Sequence, residues 1–205
     1  MENSDDDVYL TISKSAEGEV FKEKGSKFIA YAYPLTSIDQ VDHHMQLLKK
    51  AHHKARHWCY AWQTGVENPV FRYNDDGEPN NSAGKPIYGQ ILSFGLTNVL
   101  IIVVRYFGGT KLGVGGLIVA YRSAAKLALE NAKLIEKTLT RELHLTFDYK
   151  HMDKVMRLIK DHSIDILSQK MELNCVFLLS VRKNMIEQVA TLFEDLRCVE
   201  VKKVN

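Results

Sequence analysis

The stretch NVLIIVVRYFGGTKLGVGGL, Asn98 to Leu117, joins an unbroken apolar run to a glycine-rich segment. Val99 to Val104 are aliphatic without alternation, which is how a strand covered on both faces reads. That predicts a central strand in a layered domain of mixed helix and sheet. The next thirteen residues, Arg105 to Leu117, hold five glycines, two cations and no acid, and they lead into a helix expected from about Val114 to Lys133. Strand, glycine run and helix start form the geometry in which backbone N–H groups and a helix dipole converge on an anion. The same glycines would serve a tight loop that needs positive φ and close backbone approach. No standard nucleotide motif fits, because GEPNNSAGKP lacks the G-x-x-x-x-G-K-[ST] spacing and Gly113, Gly115 and Gly116 do not make G-x-G-x-x-G. The candidate anion- or nucleic-acid-binding residues are Arg105, Tyr106, Gly108, Gly109, Lys111, Gly113, Gly115 and Gly116, with Arg122 on the helix and Lys85 upstream.

Working outward, Val20 to Glu23 and Lys27 to Leu35 read as a hairpin turning at Gly25. Ile38, Val41, Met45, Leu48 and Ala51 recur at helical spacing, which turns Lys49, Lys50, His52 and His53 outward. RHWCYAW is a strand with His57, Cys59 and Ala61 on one face and Trp58, Tyr60 and Trp62 on the other. The strand VFRYN runs into the turn-forming NDDGEPNN, and Lys85 to Phe94 is a short helix with Ile87 and Ile91 inward. Near Thr138 the pattern changes. Leu143, Leu145, Phe147 and Tyr149 alternate, and Met152, Val155, Met156 and Ile159 have helical spacing. A short strand at Ile164 to Ser168 precedes a long alternating one from Met171 to Val181; Asn184 with Glu187 suits a capping box, and Val199, Val201 and Val204 form a last strand. This βαββαβ order is the split ferredoxin-like arrangement. The expected division is an acidic disordered tail over residues 1–7, a first domain over 8–137 and a second over 138–205.

The 45% apolar and 25% charged composition is that of a soluble globular protein, and the longest apolar run falls far short of the roughly 20 residues of a membrane helix. MENSDDD has no apolar segment of the kind a secretory signal requires, and Cys59, Cys175 and Cys198 form no CxxC pair, so a cytoplasmic protein without a disulfide framework or zinc ribbon is expected. A net charge of +2 does not announce a nucleic-acid binder, but its distribution is uneven. Acids are absent from Pro79 to Leu129, where Lys85, Arg105, Lys111, Arg122 and Lys126 lie, and again from His43 to Val66, which holds four cations and five histidines. Brought together in space, these intervals would make one electropositive face.

Other residue sets carry competing chemistries. Asp75, Asp76 and Glu78 could serve in acid and base roles or hold a divalent ion, Mg²⁺ above all, or they could be solvated turn formers and counter-ions to Arg105 or Lys85. No other cofactor or metal site is expected, since the histidine spacings match no H-E-x-x-H motif. His57 and Cys59 share a strand face, as a base and nucleophile would, or as a packed thiol beside a hydrogen-bonded histidine. The row Trp58, Tyr60, Trp62 is either a base-stacking platform or the core side of a sheet.

The combination of GSKFIAYAYPL, ARHWCYAW, RYNDDGEP followed by AGKPI, and VVRYFGGTKLGVGGL with Ala120 and Tyr121 resembles the IMPACT family, also called the YigZ family, over about Glu19 to Glu136. The resemblance implies an α+β protein of two domains. The first would be an α/β sandwich of the ribosomal-protein domain-2-like type shared with elongation factor G domain IV and the GHMP kinases, and the second a ferredoxin-like unit similar to elongation factor G domain V. It further implies RNA or ribosome binding in translation regulation, with an enzyme acting on a small phosphorylated ligand, or a protein-interaction regulator, as alternatives. Eukaryotic relatives carry an extra amino-terminal domain and restrain a starvation-sensing kinase; with no such domain expected ahead of Val8, that role is not expected to carry over. Members commonly read GEPSGTAGKP, whereas this chain has Asn80, Asn81 and Ser82 at the centre of that motif.

Overall fold

The computed structural model describes residues 7–204, which form two units, 9–137 and a smaller one in which 138–204 are joined by Asp7 and Val8. The larger unit carries strands β1 (Val8–Ile12), β2 (Ala16–Glu17), β3 (Phe21–Glu23), β4 (Ser26–Pro34), β5 (His57–Thr64), β6 (Val70–Asn74), β7 (Val99–Tyr106) and β8 (Leu134–Thr138), with the first residue of β1 and the last of β8 counted in the smaller unit. Its helices are α1 (Gln40–Ala51), α2 (Gly84–Ser93) and α3 (Gly113–Glu130). The main sheet runs β2-β4-β7-β5-β6 with β3 also on β4, while β1 and β8 pair separately. The centre of this sheet is β7, antiparallel to both β4 and β5.

The two-sided burial read from Val99 to Val104 has a direct structural expression. Val99, Ile101 and Val103 pack beneath α2 and α3, and Leu100, Ile102 and Val104 beneath α1. All six are fully buried, each burial contributing roughly 1.5–3 kcal/mol. Strand β5 divides as its period requires. Cys59 and Ala61 join the α2–α3 side, and Trp58, Tyr60 and Trp62 the α1 side, so the aromatic row is core packing and not an open platform.

Several local expectations change. Helix α1 begins only at Gln40, because Gln40 Oε1 accepts the N–H groups of Thr36 and Ser37 and holds that turn open; Ile38 and Ala51 are exposed. His52 turns inward and lies between Tyr31 Oη and Tyr106 Oη, 2.8 Å from each. The acidic-tail reading lies outside the described residues for 1–6, but Asp7 is buried and accepts two hydrogen bonds from the Arg182 guanidinium, both at 2.8 Å.

The smaller unit follows the order β9 (Thr140–Asp148), α4 (Met152–Asp161), β10 (Asp165–Lys170), β11 (Asn174–Arg182), α5 (Ile186–Glu194) and β12 (Val199–Val204). Its sheet is antiparallel throughout, with strand order β10-β11-β9-β12. Leu143, Leu145, Phe147, Cys175, Phe177 and Leu179 build the core with Val155, Val189 and Phe193 from the helices. The long strand starts at Asn174, leaving Met171 and Leu173 exposed, and Tyr149 is exposed in a 3₁₀ turn. No capping box opens α5. A 3₁₀ turn over Lys183–Met185 precedes the helix, Asn184 N–H donates to Asp7 Oδ2, and Glu187 pairs with Lys203 Nζ.

Candidate functional site

The loop after β6 turns back under the sheet edge because its own polar atoms close it. Asn74 Oδ1 accepts the Asp76 N–H at 2.7 Å, and Asp76 and Gly77 take positive φ. Asp76 Oδ2 then accepts the Trp58 N–H at 2.7 Å, and its carbonyl accepts His57 Nδ1–H at 2.8 Å. Asp75 is the cap of α2, its Oδ1 taking the N–H groups of Ala83 and Gly84 at 2.9 and 2.8 Å and its Oδ2 that of Asn81. Glu78 is delivered inward. Its Oε1 accepts Arg105 Nη1–H at 2.5 Å and Tyr121 Oη–H at 2.7 Å, all three side chains being buried.

These bonds reassign the acid trio. Asp75 is a helix cap, Asp76 a loop clamp and Glu78 the counter-ion of Arg105, so each of the three carboxylates is engaged by a group of the chain itself. Among the described residues, no group of three or more His, Cys, Asp or Glu side chains could hold a metal. The His57–Cys59 pairing also dissolves. His57 gives its Nδ1–H to a carbonyl, while burial pushes the Cys59 thiol well above its usual range; Sγ lies 3.0 Å from Asp75 O and 3.3 Å from Tyr121 Oη. A thiol held protonated is not a nucleophile.

The glycine loop divides between the two readings offered for it. Gly108 serves close approach: its N–H donates to Ser26 Oγ at 3.2 Å, and a Cβ there would stand 1.9 Å from the Gly25 carbonyl carbon. Gly109 and Gly113 have φ of +86° and +73°, conformations that suit glycine. The cations disperse. Arg105 is 5% exposed, with Ser26 Oγ at 3.5 Å from Nη2 and the Phe28 and Phe107 rings near its guanidinium, so it is not an anion ligand. Tyr106, the next residue, lies on the opposite sheet face against His52.

What stays open is the start of α3 and a groove between α2 and α3. The first amides of a helix have no carbonyl four residues back, and Leu112 caps them with no side-chain bond. Lys111, Gly113 and Gly115 are exposed there, and Gly115 has open space where a Cβ would stand, while a Cβ on Gly116 would meet Leu112. Lys85 of α2 and Arg122 of α3 line one cleft of about 420 Å³ with Asn81, Gly89 and Ile118, and no acid is among its lining residues. Lys126 is drawn into a surface pair with Glu130 at 3.4 Å. Tyr121 and Ser26 take roles that the local sequence does not signal, because the bond of Tyr121 runs to a glutamate 43 residues away.

The Asn80-Asn81-Ser82 departure has a physical reading. Asn81 occupies φ +60°, where glycine is free and asparagine is among the least strained alternatives, and Ser82 Oγ–H donates to the Pro79 carbonyl at 2.6 Å as another hydroxyl residue could.

Comparison with known proteins adds a consistent set of likenesses. The Impact N-terminal domain model matches residues 24–129. The IMPACT family member YvyE of Bacillus subtilis is 33% identical over 153 residues, 75% of this chain and 70% of that protein. An IMPACT family member of Haemophilus influenzae is 33% identical over 175 residues, covering 82% and 84%. A crystal structure of a hypothetical protein superposes with a TM-score of 0.73 at 24% identity, over 97% of this chain and 98% of that one.

Proposed function

This chain belongs to the IMPACT family, and from that premise we propose that it is an RNA-holding module of the translation apparatus, acting at the ribosome in the cytoplasm. The contact surface is the groove between α2 and α3 together with the uncapped start of α3. Phosphates sit against Lys85 and Arg122, with Lys111 and the first α3 amides extending the path. The observation that carries this reading is the convergence of Lys85 and Arg122, 37 residues apart in sequence, on one cleft without an acid in its lining. In this reading the first domain has the architecture shared with elongation factor G domain IV, and the second is the ferredoxin-like unit.

Binding of this kind is dominated by counterion release, so affinity for single-stranded RNA falls steeply with salt. Titration of fluorescent RNA and of ribosomes across a salt series tests it. The slope of log affinity against log salt is expected to shrink by about 1 for Lys85→Ala and by about 1 more with Arg122→Ala. Binding that ignores salt, or a double variant indistinguishable from the parent, removes the proposal.

A further inference from the structure

On the other face of the same sheet is a second hollow, of about 640 Å³, which the RNA reading leaves unused. That volume is within the roughly 300–1,000 Å³ of small-ligand sites. Its rim is the β3–β4 hairpin, where Lys22 and Lys27 are direct cross-strand partners. Residues so placed carry Cβ atoms about 5 Å apart on one face, and like charges there destabilise the hairpin. Both lysines are exposed and line the hollow, and neither has an ion-pair partner among the described residues. An uncompensated ammonium pair aimed into a concave site is a defect that a bound dianion would remove.

The floor and wall are built rather than incidental. His52 is held from both ring nitrogens, by Tyr31 Oη and Tyr106 Oη at 2.8 Å each. Tyr31 Oη–H is directed to Glu17 Oε1 at 3.3 Å, so His52 Nε2–H donates to Tyr31 and Nδ1 accepts from Tyr106. One tautomer and one ring orientation follow. Beside this wall stands Phe107, 48% exposed although one face lies over the Arg105 guanidinium at 5.6 Å, with Val20 and Ile29 completing an apolar lining. A flat apolar surface next to a paired cation site matches a ligand with a planar ring and a phosphate.

We propose that this hollow is a nucleotide-binding site, with phosphate held between Lys22 and Lys27 and the base against Phe107. Shared chemistry leaves two sources, a free mononucleotide or a nucleotide within an RNA chain. Calorimetric titration of the full chain with AMP, adenosine and inorganic phosphate tests the site. AMP is expected to bind at least about tenfold more tightly than either fragment. Lys27→Glu converts the like-charge pair into an opposite one, so it is expected to raise the melting temperature while lowering AMP affinity at least about tenfold. Lys22→Ala with Lys27→Ala gives the same loss without the added pair, and Lys85→Ala with Arg122→Ala leaves AMP affinity within about twofold. A short oligoribonucleotide that displaces AMP assigns the site to RNA, and one that does not assigns it to the free nucleotide. No AMP binding, inorganic phosphate binding as tightly as AMP, or affinity that survives Lys27→Glu overturns the proposal. Since RNA binding is read separately with Lys85 and Arg122, its failure would leave an AMP titration intact.

Discussion

Arg105 and Tyr106 are neighbours at the end of β7, yet they face opposite sides of the sheet and meet opposite electrostatic solutions. On the α2–α3 side, the loop after β6 brings Glu78 to Arg105 and Tyr121 gives a second hydrogen bond to the same carboxylate. On the α1 side, Tyr106 leans on His52 beside two lysines that face each other without an ion-pair partner among the described residues. The first arrangement is closed and consumes its own charge. The second is open and leaves charge for something outside the chain. A cation next to a glycine loop is therefore no guide to binding until its partner is known.

Removing one member of the closed pair should have the largest effect. Arg105→Ala leaves the Glu78 charge buried without compensation, and a loss of about 3–5 kcal/mol in urea unfolding is expected. Lys22→Ala, its counterpart on the open side, should be neutral or slightly stabilising because it relieves a like-charge contact. A small loss for Arg105→Ala would erase the contrast between the faces. Next comes Gly108→Ala. A Cβ 1.9 Å from backbone must push the loop from the β3–β4 turn, costing about 1–3 kcal/mol by the same measurement. Asn81→Val, which forces a β-branched residue into φ +60°, should cost about 1–2 kcal/mol, while Asn81→Gly should be near neutral. The smallest effect concerns Asp7 in the smaller unit, because its partner Arg182 is partly solvated. The hydrogen bond from Arg182 holds the Asp7 carboxyl below the usual carboxylate range. Its contribution is present above that range and is lost as pH falls through the lowered folded-state value. Asp7→Asn should flatten that acid limb of the stability profile.

Much of the architecture was legible because it rests on periodicity. The unbroken run at Val99 to Val104, the split of β5 between Cys59 and Trp58 faces, and the inward Ile87 and Ile91 of α2 all follow from local spacing. The candidate site was less legible, for a specific reason. The acid-free interval begins at Pro79, one residue after the glutamate that neutralises Arg105, so depletion along the chain was not depletion in space. The acids looked like possible ligands because a turn rich in Asp and Glu reads the same whether its carboxylates face water or its own amides. His52 falls on the outward side only if helical spacing continues past Ala51, where α1 ends.

The sequence by itself determined the strands and helices that build the two cores, where the central strand lies, and that glycines follow it, because those properties depend on side-chain period and local backbone freedom; the outlying strands β1, β2 and β8 carry no such period. Only the tertiary structure decided which charges are spent and which remain. Charge pairing acts between side chains within a few ångströms, and the 27 residues between Glu78 and Arg105 become such a distance only when the chain has folded; folding likewise brings Lys85 and Arg122, 37 residues apart, to the lining of one cleft.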